Sequence, residues 1–325
     1  MFAVFRLYWL PSLTKYVTLG NMTQQDMTQQ PQQQQRSPHR TSPAQMKQIA
    51  RNRPPELIKG FVPSGGVMVL AGAPGTGKSF TALSWAAAIA EGSPWFGKAT
   101  RQASVLYVLG EGYAGFGSRV EAWESANGRP MSDNLDFIDG LTYGASLKDP
   151  AAVQQLIGLI NEVPTGLVVF DTLSVLANLT NENDNAEVAQ VMANVHTIAR
   201  ATGATTMVIH HTTKSSGTVR GASAFVGNSD TVVVAAKEKN SDGNTATNTF
   251  LLSTSAQHGG KQRDGEPRIM SGFSIATPGV LTQGNSSSNS GNGPAARKDP
   301  NEINVIMAAA RAAHEDNKNK DKENK

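Results

Sequence analysis

The chain has 325 residues and a formal net charge of +3, with a pI near 9.0. That is room for one large domain or two modest ones, and a balance that permits nucleic acid as a partner without implying it. There is no cysteine, which excludes disulfides, cysteine-ligated zinc, Fe–S clusters and thiol catalysis, and suits a cytoplasmic protein. No apolar run approaches the roughly 20 residues that span a bilayer, so no membrane partner is expected.

Residues 1–21 are apolar and aromatic, but Arg6 and Pro11 interrupt the run and no small-residue cleavage site follows. The stretch reads as an upstream extension, with Met22 or Met27 as the working start, or as a short disordered anchor. Residues 22 to about 55 are Gln, Ser, Pro and Arg. They carry too little apolar surface to offset their ordering entropy, so 1–54 is expected to be a disordered basic arm.

The folded domain is expected over 55–282. The apolar run Val67-Met68-Val69-Leu70-Ala71 leads into Gly72-Ala73-Pro74-Gly75-Thr76-Gly77-Lys78-Ser79, and a helical pattern follows from Phe80 to Ala90. Strand, glycine loop and helix in that order make the G-x-x-x-x-G-K-[ST] phosphate loop. Its glycines let successive N–H groups turn toward phosphate oxygens, and the new helix adds its positive end. Lys78 is placed for the β- and γ-phosphates of ATP and Ser79 for Mg²⁺. Gly72 through Phe80 are therefore the candidate nucleotide-binding residues.

Ala103 to Leu109 reads as a buried strand ending on Gly110-Glu111-Gly112, and a helix is expected from about Gly115 to Ala126. Asp136–Asp139 is a short strand candidate. Asp149 caps a helix running to Ile160. Gly166–Phe170 is a buried strand ending on Asp171, and a helix spans Ala186 to Ala201. Ala204–Ile209 is a strand ending on His210-His211, and Asp230 precedes the strand Thr231–Ala236. Thr247–Ser253 and Arg268–Ile275 alternate as antiparallel strands do. Residues 283–298 form a Ser/Asn/Gly-rich linker, and 299–325 a short helix with a charged tail.

Near-continuous apolar strands alternating with helices imply an α/β fold with a mostly parallel sheet covered on both faces. Ligands of such sheets gather at strand ends, where the phosphate loop, Glu111, Asp171, His210-His211 and Asp230 are all expected. Asp171 fits the acidic residue that holds Mg²⁺ through water, and Glu111 a base that polarises the attacking water. His210-His211 suits phosphate sensing, a link to a second ligand, or structural hydrogen bonding. Lys214 and Arg220, in a Thr/Ser/Gly loop, suit fingers into a neighbour's ATP, contacts to a nucleic-acid backbone, or solvated charges.

The phosphate loop, Val-Leu-Gly-Glu111-Gly, Val-Val-Phe-Asp171-Thr, and Val-Ile-His-His211-Thr-Thr-Lys214 with Arg220-Gly-Ala-Ser occur in this order. Together they resemble the RecA-like ATPases of the RepA-type hexameric helicase group, found in plasmids and phages. The segment Gly-Glu111-Gly-Tyr-Ala-Gly-Phe-Gly-Ser-Arg119-Val-Glu-Ala-Trp123-Glu is particularly similar, and the resemblance covers about residues 55 to 240. It implies a RecA-like core assembling into a homo-oligomeric ring, a hexamer, with ATP at subunit interfaces and single-stranded DNA as partner. It further implies Glu111 as catalytic base and His211 as γ-phosphate sensor. Arg220, alone or with Lys214, becomes the finger reaching the neighbouring nucleotide. The activity so implied is ATP hydrolysis coupled to DNA unwinding in replication or recombination. A filament-forming recombinase and a non-motor helicase loader or regulator are the alternatives.

Overall fold

Every residue of β1 (Val67–Gly72) is buried. An unbroken apolar strand needs cover on both faces, and it has it. Met68 and Leu70 join one hydrophobic cluster, with Trp85, Ile89 and Tyr107, whereas Val67, Val69 and Ala71 join a second on the other face, with Val191, Val195 and Phe225. The period-2 alternation of strand side chains thus divides one run between two cores.

The computed structural model describes residues 41–181, 184–211, 222–239, 245–263, 265–276 and 279–284. The expected disorder of 1–40 and of the charged tail, the linker beyond 284, and Lys214 and Arg220 lie outside these. The chain divides into two units, Met1–Asn52 and Arg53–Lys325. In the first, α1 (Pro43–Arg51) is helical where an unstructured arm was expected. The local reason is a capping box: Gln45 N–H donates to Ser42 Oγ, and the Ser42 N–H donates to Gln45 Oε1 at 2.8 Å. Pro43 at the first helical position reinforces the start.

In the second unit, β1 is followed by α2 (Lys78–Glu91), β2 (Ser104–Leu109), α3 (Tyr113–Asn127), β3 (Leu135–Asp139), the single turn α4 (Gly140–Tyr143), α5 (Pro150–Ile160) and β4 (Thr165–Asp171). Then come the turn α6 (Leu173–Leu176), α7 (Asn185–Thr202), β5 (Thr205–His211), α8 (Ala222–Gly227) and β6 (Thr231–Lys239). The chain closes with β7 (Thr245–Ser253), β8 (Lys261–Gln262), β9 (Ile269–Ala276) and β10 (Val280–Gln283). The described strands form one sheet in the order β10-β9-β7-β6-β1-β5-β4-β2-β3, with β8 on β6. From β6 to β3 the pairs are parallel; β7, β8, β9 and β10 join antiparallel. The expected α/β class, mostly parallel with antiparallel strands on the C-terminal side, is the fold observed. α4, α6, α8, β8 and β10 are too short or too polar to stand out in the sequence pattern.

Register carries the fold to the site. Gly72 lies opposite His211 on one side and Ala235 on the other, while Asp171 lies opposite Leu109. The carboxyl ends of β1, β5, β4 and β2 are thereby brought to one edge of the sheet.

Trp85 anchors the first core, with ring centroids 6.3 Å from Phe61 and 5.7 Å from Trp95. Trp85→Ala is expected to destabilise the domain by about 3–5 kcal/mol, the usual cost of deleting a buried large aromatic, read as a lower urea midpoint with an unchanged m-value.

Candidate active site

The loop after β1 turns through two left-handed glycines, Gly75 at φ 74° and Gly77 at φ 77°. A Cβ on Gly77 would fall 2.9 Å from the Phe250 ring, so backbone angle and space both demand glycine there; around Gly75 the space is open. Thr76 braces the turn through Oγ1 to the Ala73 carbonyl at 2.8 Å. Gly77 is the N-cap of α2 and has no side chain to cap the first N–H groups. Those donors and the helix's positive end face the loop, an arrangement that receives anions.

Lys78 is 6% exposed, and its ammonium rests on the loop's own carbonyls: Nζ donates to Gly72 O at 2.9 Å and Ala73 O at 3.0 Å, and lies 3.2 Å from His211 Nδ1. Burial lowers its pKa to about 8, against the opposing pull of Asp171 and then Glu111. A charge held this way costs on the order of 3 kcal/mol relative to water, and a triphosphate relieves that cost.

Asp171 ends β4 and is buried. The buried Tyr107 hydroxyl donates to its Oδ2 at 2.8 Å, and the Ser79 hydroxyl donates to it as well. Burial raises the Asp171 pKa. The hydrogen bonds from Tyr107 and Ser79, then the charges of Arg119 and Lys78, pull it back down. Tyr107 is itself raised well above the usual phenol value, by burial first and by the facing carboxylate next. Arg119 is fixed between aromatic faces, its guanidinium 4.9 Å from the Phe80 ring centroid and 5.0 Å from that of Phe116.

Tyr107 and Arg119 belong to the site although sequence reasoning did not place them there. A tyrosine inside an apolar strand is the available signal, since a buried phenol needs a partner. Phe116 and Arg119, three apart on α3, share one helix face. Glu111 is exposed, ahead of the left-handed Gly112 that opens α3, and near enough for its charge to act on Lys78. The two histidines separate: His211 meets Lys78, while His210 is fully buried with its ring 4.2 Å from that of Phe225.

Asp230 is a correction. It opens β6 instead of ending a strand, so in a parallel sheet it sits at the opposite edge from the phosphate loop. There Oδ2 accepts from the Val67 N–H at 2.9 Å, at the start of β1.

The donor set fits a nucleoside triphosphate with Mg²⁺. One hydroxyl and one carboxylate stand side by side in Ser79 and Asp171, the sparse oxygen set that Mg²⁺ takes when phosphates and waters complete its shell. Among the described residues no group of three or more His, Cys, Asp or Glu could make a dedicated metal cage.

Residues 32–217 match a protein family described as AAA domain, more than half of the chain. Among solved structures, one described as the ATPase domain of a larger protein is similar at a TM-score of 0.47 and 12% identity, covering 65% of this chain and 81% of that one. No curated protein matches the sequence. No helix among the described residues is long and apolar enough to cross a membrane.

Phosphate beside Lys78 raises its pKa from about 8, so the affinity gained from this charge is full below pH 8 and fades as pH rises above it. Calorimetric titration of Mg-nucleotide at pH 8 in buffers of different ionisation enthalpy should show uptake of about half a proton per nucleotide. Tyr107→Phe removes a donor to Asp171 and lets burial raise that carboxyl further. The acid limb of Mg²⁺-dependent nucleotide binding should then move to higher pH, with Tyr107→Phe still folded by thermal melting.

Proposed function

The chain belongs to the AAA domain family, and from that membership we propose that it is an ATP-hydrolysing motor that acts on DNA, a RecA-like helicase working as a homo-oligomeric ring. The observation that carries the reading is the meeting of Lys78, Ser79, Asp171 and His211 at the ends of three neighbouring parallel strands. Phosphoryl transfer asks chiefly for positioning and charge stabilisation, and this edge of the sheet offers both.

In this reading the loop N–H groups and Lys78 hold the β- and γ-phosphates, with Lys78 leaving the carbonyls of Gly72 and Ala73 for phosphate oxygens. Mg²⁺, when bound, neutralises charge on those oxygens. Asp171 and Ser79 hold it, and Tyr107 keeps the Asp171 carboxylate ionised and aimed. Glu111 takes the proton of a water whose oxygen attacks the γ-phosphorus as the bond to the β–γ bridging oxygen breaks, releasing ADP and phosphate. The exposure of Glu111 leaves room for that water. His211, touching Lys78, is suited to report whether a γ-phosphate is present. Arg220, alone or with Lys214, reaches the nucleotide of the neighbouring subunit, and single-stranded DNA passes through the ring.

Mg²⁺-dependent ATP turnover should fall by at least about 100-fold in Lys78→Ala. Glu111→Gln should lose about 10²–10⁴-fold in kcat while still binding nucleotide. Single-stranded DNA should stimulate turnover, and forked DNA should be unwound by an assembly whose mass is a small multiple of the chain. Helical filaments in negative stain would instead indicate a recombinase. Slow turnover, with unwinding only beside an added helicase, would indicate a loader.

A further inference from the structure

The edge of the sheet remote from the phosphate loop carries a cavity of about 710 Å³, within the second unit. This is the size range of small-molecule sites. Pro54, Pro55 and Pro63 give it apolar walls, and the remaining lining is strongly charged.

Its three carboxylates are already engaged. Glu56 accepts from the Gly60 N–H at 2.8 Å and from Gln262 Nε2 at 3.2 Å. Asp230 holds the Val67 N–H and pairs with Arg263, and Glu266 faces Arg268 at 3.4 Å. Lys59 and Arg101 have no carboxylate partner among the described residues, so five lining cations stand against three anions, a surplus of two positive charges.

Two lining atoms also lack hydrogen-bond partners although they are shut from solvent: the donor Arg101 Nε and the acceptor Gln262 Oε1. The rest of each side chain is anchored, Arg101 Nη2 on Ser64 Oγ at 3.1 Å and Gln262 Nε2 on Glu56. A buried polar group without a partner is costly, and most such groups in proteins are satisfied. A ligand bringing an acceptor to Arg101 and a donor to Gln262 would satisfy both after a small shift of the cavity wall.

We propose that this cavity binds a phosphomonoester with a ring or sugar body, the class that includes nucleoside monophosphates and sugar phosphates. At neutral pH such a group carries about −1.5 to −2, matching the surplus charge. The phosphate lies against Lys59 and Arg101, a ligand hydroxyl or amino group donates to Gln262 Oε1, and the body rests on the proline faces. The site is separate from the phosphate loop, at the other end of β1.

Calorimetric titration of the full chain, its phosphate loop filled with Mg-ADP, tests this with AMP, ribose 5-phosphate, inorganic phosphate and adenosine as probes. One phosphomonoester per chain should bind with a Kd below about 1 mM. Lys59→Glu, at an exposed position, and Arg101→Gln should each weaken it at least tenfold, whereas Lys78→Ala should leave it unchanged. AMP bound more tightly than ribose 5-phosphate identifies a nucleotide as the natural class, and equal binding identifies a sugar phosphate; both support the assignment. It is overturned by absence of saturable binding, by inorganic phosphate or adenosine binding as well as AMP, by indifference to Lys59→Glu, or by loss of binding in Lys78→Ala. Because Lys78 reports only on the phosphate loop, failure here leaves the ATPase reading standing.

Discussion

A lysine ammonium almost wholly withdrawn from water is the feature around which the active edge is organised. Lys78 is tolerated because two carbonyls of its own loop accept from it and because the charges of Asp171 and Glu111 oppose the effect of burial. That tolerance is incomplete, and its pKa stays low at about 8. The loop is therefore built around a cation that phosphate would stabilise further, and the short distance to His211 ties the neighbouring strand to the same charge. Preorganised charge in a site with little water is the usual source of electrostatic catalysis.

Parallel pairing distributes the chemistry. Because β1, β5, β4 and β2 run the same way, whatever follows each strand arrives at one edge and whatever precedes it at the other. Asp171 and His211 follow their strands and join the phosphate loop; Asp230 precedes β6 and is carried to the far edge, where it pins the start of β1. The same geometry that assembles the nucleotide site thus builds a charged cavity at the opposite end of the central strand.

The antiparallel wing has a structural part in the site. Phe250 of β7 and Ile275 of β9 close over Gly77, and Gly279, just before β10, approaches Phe80. With Arg119 stacked on the other side of Phe80, the first turn of α2 is held between the wing and α3. A larger residue at Gly77 would have to displace the Phe250 ring, so the loop's glycine answers to tertiary packing as well as to its own φ.

The sequence by itself determined the α/β class, the phosphate loop and the strands that end at Glu111, Asp171 and His211. Those depend on local physics: hydrophobic period, glycine conformation and helix start signals act within a few residues. The capping box of Ser42 and Gln45 was equally local, yet the polar composition around it concealed the helix of Pro43–Arg51. Only the tertiary structure decided the rest. It separated His211 from His210, brought Tyr107 and Arg119 to Asp171, and sent Asp230 to the far edge. Each of these follows from which strands become neighbours and in what register, and that is set by long-range burial on two faces of one sheet, which no short stretch of chain encodes alone.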